Sequence, residues 1–313
     1  MARMKEESVG VEYPAIAHVL GCSLQAAAVL SSQTLGISTF GQKYLELQAI
    51  PLRAVKGGTQ VVYVSAIALK LANAWKKPVI DIATVIAANL FCADESNDSS
   101  TNAALQNFTL KVVPPGWIYL QLSDLGTAAW LERLAQAPPW VGSGGAGGQV
   151  SRGAGMPCYP NAKLFDAQYA HARCCSLLRL AHREGIIALA EADLEISPHF
   201  WSVKAPTPIP WLDSDEKLRL VHPGERNLIF HLLTLLDRLY CVSRSRHQVD
   251  WEKSARTLSQ VFLTFYSQCR IWGEVKTENP QLAQARLGLI LATQPLLHFL
   301  LQDLLGVLAP LEL

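Results

Sequence analysis

Between Ala137 and Asn161 the chain runs through Pro138, Pro139, Gly142, Gly144, Gly145, Gly147, Gly148, Gly153, Gly155 and Pro157. Glycine at this density costs backbone entropy and proline removes backbone donors, so neither helix nor sheet is expected there. This is the composition of a tether. It divides the 313 residues into two parts, each long enough to bury a core of its own. Gly142 to Gly147 has the spacing of a dinucleotide fingerprint. Ala137-Pro138-Pro139-Trp140 is a poor strand, however, and no helix follows, so the match is read as linker. The expected organisation is an α+β unit over 1–125, a linker over 126–160 and an all-α unit over 161–313.

Upstream of the tether, the first 55 residues give one signal, a helix near Ala15 to Leu30. Tyr63, Ile67, Leu71 and Ala74 share a face of a helix expected from Tyr63 to Trp75. Pro78 opens a second helix at its first turn, with Val79, Ile82, Ala83, Ile86, Ala87 and Leu90 on its apolar side. The polar stretch from Asp94 to Asn102 reads as a loop. Phe108, Leu110 and Val112 then alternate with polar neighbours and Trp117 to Leu122 returns as a second strand. Pro114-Pro115-Gly116 suits a type II turn between them.

Downstream, every strong pattern is helical. Tyr169, Ala172 and Ser176 form one stripe of a helix over Asp166 to Arg183, with Cys174, Leu177 and Leu178 on its buried side. Gly185 stops it. Leu228, Leu232, Leu235, Leu236 and Leu239 define a helix from Glu225 to Tyr240. Trp251, Ala255, Leu258, Phe262, Phe265, Cys269 and Trp272 recur at steps of four and three, as in a helix packed along its whole length. Asn279-Pro280 supplies an N-cap and first-turn proline to a last helix, which Pro295 should kink or split and Gly306 should end. The fold class is therefore a small α+β domain followed by an all-α helical bundle. Leu287 to Leu311 is apolar enough to raise the question of a membrane span. His298 and Asp303 sit too centrally for one, so a buried helix and no membrane span are expected.

Charge excludes one class of function. Lys plus Arg number 27 and Asp plus Glu 26, with ten of each before residue 150. Tight non-specific binding to nucleic acid is not expected, and any RNA contact must come from a local patch. The seven cysteines, Cys22, Cys92, Cys158, Cys174, Cys175, Cys241 and Cys269, form no Cys-x-x-Cys pair and suit reduced thiols in a cytosolic protein. The charged N-terminal residues (Arg3, Lys5, Glu6, Glu7) lack a signal-peptide layout.

Chemistry-bearing constellations are sparse. His171 with Cys174 or Cys175 offers two ligands where a structural zinc needs four. There is no phosphate-cradling loop and no nucleophile elbow. Asp213 and Asp215 fall in a charged turn. No metal and no cofactor is expected. The suggestive feature is arginine: Arg173, Arg179 and Arg183 on the first bundle helix, Arg238, Arg244 and Arg246 around the next loop, and Arg256 and Arg270 with Tyr266 on the long helix. Guanidinium beside aromatic rings suits recognition of phosphates and unstacked bases. Solvated faces balanced by Asp237, Asp250 and Glu252 would look the same.

One segment decides between these readings. Phe165-Asp166-Ala167-Gln168-Tyr169-Ala170-His171-Ala172-Arg173-Cys174-Cys175-Ser176-Leu177-Leu178-Arg179 closely resembles the signature that opens the C-terminal anticodon-binding (DALR) domain of arginyl-tRNA synthetases. Phe265-Tyr266-Ser267-Gln268-Cys269-Arg270, Ala285-Arg286-Leu287 and Leu304-Leu305-Gly306-Val307-Leu308-Ala309-Pro310 resemble three further motifs of that family, in order. The N-terminal part is similar more weakly: Tyr63 to Ala72, Pro78 to Leu90, and Pro115 to Leu120 resemble the family's domain that contacts the tRNA elbow. The final Pro310-Leu311-Glu312-Leu313 departs from a family that usually closes on Met.

In that family a class I catalytic domain separates the two parts. Here the interval is the glycine tether, and neither the His-x-Gly-His nor the Lys-Met-Ser-Lys-Ser motif occurs. His222-Pro223-Gly224-Glu225 and Lys253-Ser254-Ala255-Arg256 echo them only faintly. The resemblance thus implies a cytoplasmic, non-catalytic tRNA binder for arginine tRNA, with Tyr169, His171, Arg173, Tyr266, Arg270 and Arg286 at the positions that match. Arg270 and Tyr266 are the expected RNA contacts. Tyr169, His171 and Cys175 are expected to serve packing or orientation. The competing expectation is a protein-interaction adaptor, whose vacated catalytic-domain face is covered by the other domain, by self-association or by a partner. Half of a split synthetase is a third.

Overall fold

A computed structural model describes residues 15–37, 50–57, 60–92, 107–136, 164–190, 201–242 and 249–313. The expected loop at Asp94 to Asn102, the tether from Ala137 to Asn161, Arg244 and Arg246 lie outside these residues. The first part contains helix α1 (Ile16–Thr34), strands β1 (Leu52–Gly57) and β2 (Gln60–Ser65), helices α2 (Ile67–Trp75) and α3 (Val79–Cys92), strands β3 (Phe108–Val113) and β4 (Trp117–Leu122), and helix α4 (Asp124–Gln136). The strands form one antiparallel sheet in the order β1-β2-β4-β3. Small N-terminal strands with helices, followed by a helical C-terminal domain, is the expected fold class.

Three local expectations need correction. Tyr63 does not begin a helix. It lies in the central strand β2, paired with Leu120, and the helix starts only at Ile67. The apolar run Val61-Val62-Tyr63-Val64 is β-branched and aromatic, which favours a strand; four residues cannot separate the two periods. The β3–β4 turn is not type II on Pro115-Gly116. The Gly116 amide donates to the Val113 carbonyl at 2.9 Å, so Pro114 and Pro115 are its central residues, joined by a cis bond. Residues 126–136 are not linker either, because α4 carries them, with Ala128, Leu131, Leu134 and Ala135 buried.

The second part comprises α5 (Phe165–Arg183), a two-stranded ribbon of β5 (Ala188–Leu189) and β6 (Val203–Ala205), α6 (Pro223–Val242), α7 (Trp251–Gln268), short α8 (Glu274–Glu278) and α9 (Pro280–His298). Gly185 and Gly306 take positive φ at the helix stops assigned to them. The long helix α7 ends at Gln268, short of Trp272. The Asn279 side chain caps α9 by accepting from the Leu282 amide, with Pro280 in its first turn. Pro295 does not split α9. The helix continues to His298 and then widens into a π-helical segment, Phe299–Leu304.

Helix α9 is apolar all round and is buried without a break from Leu287 to His298. It has the length and composition of a membrane span, and most of its surface is covered by protein. Helices α4, α5, α6, α7 and α8 all pack against it, so both parts of the chain enclose it. Gly288 permits a close approach of the segment before α6, since a Cβ there would stand 2.3 Å from the Trp211 ring. The Trp211 indole N–H in turn donates to Glu132 of α4 at 2.6 Å. One continuous hydrophobic core results.

Buried polar contacts join the two parts. Asp237 of α6 accepts from the Tyr63 hydroxyl at 2.7 Å and from the Ala17 amide at the start of α1 at 2.9 Å. Asp124 at the start of α4 accepts from Arg226 and from the Leu218 amide, both at 3.2 Å. Burial raises the Asp237 carboxyl to about 6, opposed by its two hydrogen bonds.

That shift has a sign. The folded-state value lies above the ordinary carboxylate range near 4, so between pH about 4 and 6 the folded state holds the proton that the unfolded chain has released. The protonated carboxyl's contribution is complete below about pH 4 and is lost as pH rises through about 6, a change of about 3 kcal/mol. Asp237→Asn should therefore gain stability relative to wild type as pH goes from 4 to 7 in urea titrations. A stability difference that stays flat with pH would contradict this.

Candidate nucleic-acid interface

Helix α5 presents two faces with different chemistry. Ala167, Ala170, Cys174, Leu178 and Ala181 are buried completely. Phe165 and Tyr169, 47% and 41% exposed, lie one turn apart on the outer face with ring centroids 6.5 Å apart. One further turn on, the Arg173 guanidinium lies 4.8 Å over the face of Tyr266 from α7 and donates to the Tyr266 hydroxyl. Tyr266 stacks in turn on buried Phe262. A half-buried cation is thus held against a ring whose underside is fixed by the core, an attractive geometry in its own right.

The C-terminal segment runs along the same helix. The Gln168 amide donates to the Leu308 carbonyl at 2.9 Å, and Arg179 reaches the Leu311 carbonyl and Glu312 at 3.1 and 2.9 Å. Leu308, Leu311 and Leu313 remain exposed, so rings and aliphatic side chains border the cationic positions.

His171 faces the other way and is wholly buried. Its Nδ1 donates to the Pro310 carbonyl at 2.8 Å and its Nε2 accepts from Gln294 at 3.0 Å, which fixes a neutral ring. Burial lowers its pKa to about 4, against the pull of the Pro310 carbonyl. Burial likewise raises Cys175, 3.9 Å away, to about 12. His171 ties α5, α9 and the C-terminal segment together from a buried position, on the packing side of the motif rather than its outer face.

Arg286, half-buried, is held by protein partners. Its Nε donates at 2.6 Å to Glu225, which is completely buried, and its Nη1 donates to the Arg270 carbonyl. Glu225 also accepts from the His222 amide at 2.8 Å, while the Gly224 amide donates to the His222 ring at 3.1 Å. His222-Pro223-Gly224-Glu225 is therefore the N-terminal cap of α6, a capping box with the glutamate at its third helical position. Lys253 to Arg256 is the first turn of α7, capped by Asp250. Asp213 accepts from the Asp215 and Lys217 amides, an ordinary Asx turn, and these bonds lower its pKa.

Arg270 is exposed just beyond the end of α7, so of the six expected residues only His171 is buried, and of the other five Arg286 is held in an ion pair while Tyr169, Arg173, Tyr266 and Arg270 border the outer face. Phe165 was missed. Its position four residues before Tyr169 was the available signal. Among the described residues no cluster of three metal-ligating side chains occurs.

The sequence that forms this face has relatives. Residues 167–313 match the DALR anticodon binding domain. The C-terminal half is such a domain. Its relatives include the arginine–tRNA ligases of Synechococcus sp. (strain JA-3-3Ab), 34% identical over 142 residues, and Chloroflexus aggregans, 35% identical over 147 residues. The first alignment covers 45% of this chain and 21% of the ligase, the second 46% and 20%. That of Moorella thermoacetica is 31% identical over 148 residues, 47% of this chain and 22% of its own. The chain thus spans about a fifth of the length of the curated relatives it matches, all within its DALR half. No solved structure matches.

The division between inner and outer motif residues is measurable as stability. Arg286→Ala strands a buried carboxylate and should cost about 3 kcal/mol in urea denaturation. Arg270→Ala should stay within about 0.5 kcal/mol of wild type. Equal losses would show that Arg270 is structural as well.

Proposed function

We propose that this chain is a non-catalytic tRNA-binding protein of the cytoplasm. The DALR half would grip the anticodon stem and the α+β half the elbow, with arginine tRNA as the ligand. The match of residues 167–313 to an anticodon binding domain carries this reading. It is supported by the outer face of α5 and α7, where Phe165, Tyr169, Tyr266, Arg173 and Arg270 combine rings for unstacked bases with charge for phosphates. We further propose the division into an N-terminal synthetase-like unit and a DALR unit, joined by the Gly/Pro tether.

The absence of catalysis is part of the same proposal. Neither signature loop of the synthetase active site is in the sequence, and the nearest echo of the first serves as a helix cap. Direct packing of α4 on α9 supports the view that the two end units close on each other.

The near-even charge and the exposed Leu308, Leu311 and Leu313 favour a second reading, a protein-interaction adaptor on the same face. Gel shifts with arginine tRNA separate the two. Wild type should bind, and Arg270→Glu should weaken binding at least severalfold. Undiminished binding by Arg270→Glu would remove this face from the RNA site; a purified protein partner with no bound RNA would favour the adaptor. Arginine-dependent pyrophosphate exchange should be absent, and its detection would overturn the non-catalytic assignment.

A further inference from the structure

A second cationic feature lies where the α+β half meets α6, away from the face just described. Asn227, His231, Thr234 and Arg238 recur at steps of four, three and four, and so share one stripe of α6. At one end of the stripe, exposed Lys56 of β1 donates to Asn227 at 2.8 Å. Lys56, Gln60, Thr127, Arg226 and Phe230, with Val61 and Ile229, line a small cleft there. The Arg226 Nε is buried in this region without a partner among the described residues. At the other end, His231, Thr234, Arg238, Ser254 and Thr257, with Leu235 and Leu258, line a small groove between α6 and α7.

Positive charge sits at both ends of this seam, on exposed Lys56 and exposed Arg238, and disfavours a further charge on the ring between them. Lys56 and Arg238 both lower the pKa of His231, after the larger effect of its burial. Two acids of the adjoining helices are committed elsewhere: Asp237 is turned inward to Tyr63 and Ala17, and Asp124 is held by Arg226 and the Leu218 amide. A row of like charges is relieved by an anion. Eleven residues of helix set Asn227 and Arg238 about 17 Å apart, which calls for an extended polyanion. The groove walls combine the polar His231, Thr234, Ser254 and Thr257 with the buried Leu235 and Leu258.

We propose that this seam is a phosphate-backbone contact for the bound tRNA, separate from the aromatic face of α5 and α7. It rests on the tRNA-binding reading above and adds to it a site that neither half possesses alone, because Lys56 comes from the sheet and His231 and Arg238 come from the bundle.

The test is the salt dependence of tRNA binding by the full chain. Wild type, Arg270→Glu and the double variant Lys56→Gln/Arg238→Gln are compared over a salt series, with thermal melting to verify folding. Two lost phosphate contacts should flatten the slope of log K against log salt by about 1.5 and weaken low-salt binding about tenfold or more. A folded double variant with the wild-type slope overturns the seam while leaving the tRNA reading intact. Wild type that binds no tRNA at all overturns both. Should the double variant keep its tRNA binding and instead lose binding to polyglutamate, the seam recognises an acidic protein and the RNA assignment falls. If the double variant misfolds, the single Arg238→Gln variant must still flatten the slope by about 0.8, and an unchanged slope overturns the proposal.

Discussion

A helix that is apolar on every side can exist in water only when it is enclosed, because each exposed Leu or Ile side chain forgoes about 1.5–3 kcal/mol of burial. Helix α9 imposes that condition on the whole chain. The bundle helices α5, α6, α7 and α8 cover most of it, and α4 from the other half also packs on it. The docking of the α+β half is thus part of how the bundle completes its core. Gly288 and Trp211 show how tight the closure is, with the indole filling the space a side chain would take.

Polar contacts give this closure its register. Non-directional burial would tolerate many arrangements of the α+β half on the bundle. Asp237 accepts one hydrogen bond from β2 and one from α1, and Glu132 accepts two from the segment around Trp211. A buried carboxyl that lost these donors would carry an uncompensated charge or have to take up a proton. The same docking places Lys56 beside α6, so the energetics of closure also assemble a basic seam.

Much of the fold was legible in the sequence because the helices of the bundle carry long periodic patterns and explicit stop signals. Gly185, Asn279-Pro280 and Gly306 each act where the sequence places them. Short segments were less legible. Val61 to Val64 has no period that separates strand from helix, and strand β1, with exposed Arg53, Val55 and Lys56, offered no apolar stripe. Pro295 carries the signal of a break, yet α9 runs on to His298 before it widens, because surrounding helices hold it in place. Among the motif residues, sequence position could not distinguish Arg286, locked on Glu225, from Arg270, exposed to solvent.

The sequence by itself determined the order of the long helices, the helical character of the second half and the motifs that mark an anticodon binding domain, since each is written in local spacing. Only the tertiary structure decided which motif residues face outward, which serve as caps and struts, and that the two halves share one core. Those outcomes depend on contacts between residues far apart in the chain, such as Tyr63 with Asp237 and His171 with Pro310, and no local pattern encodes them.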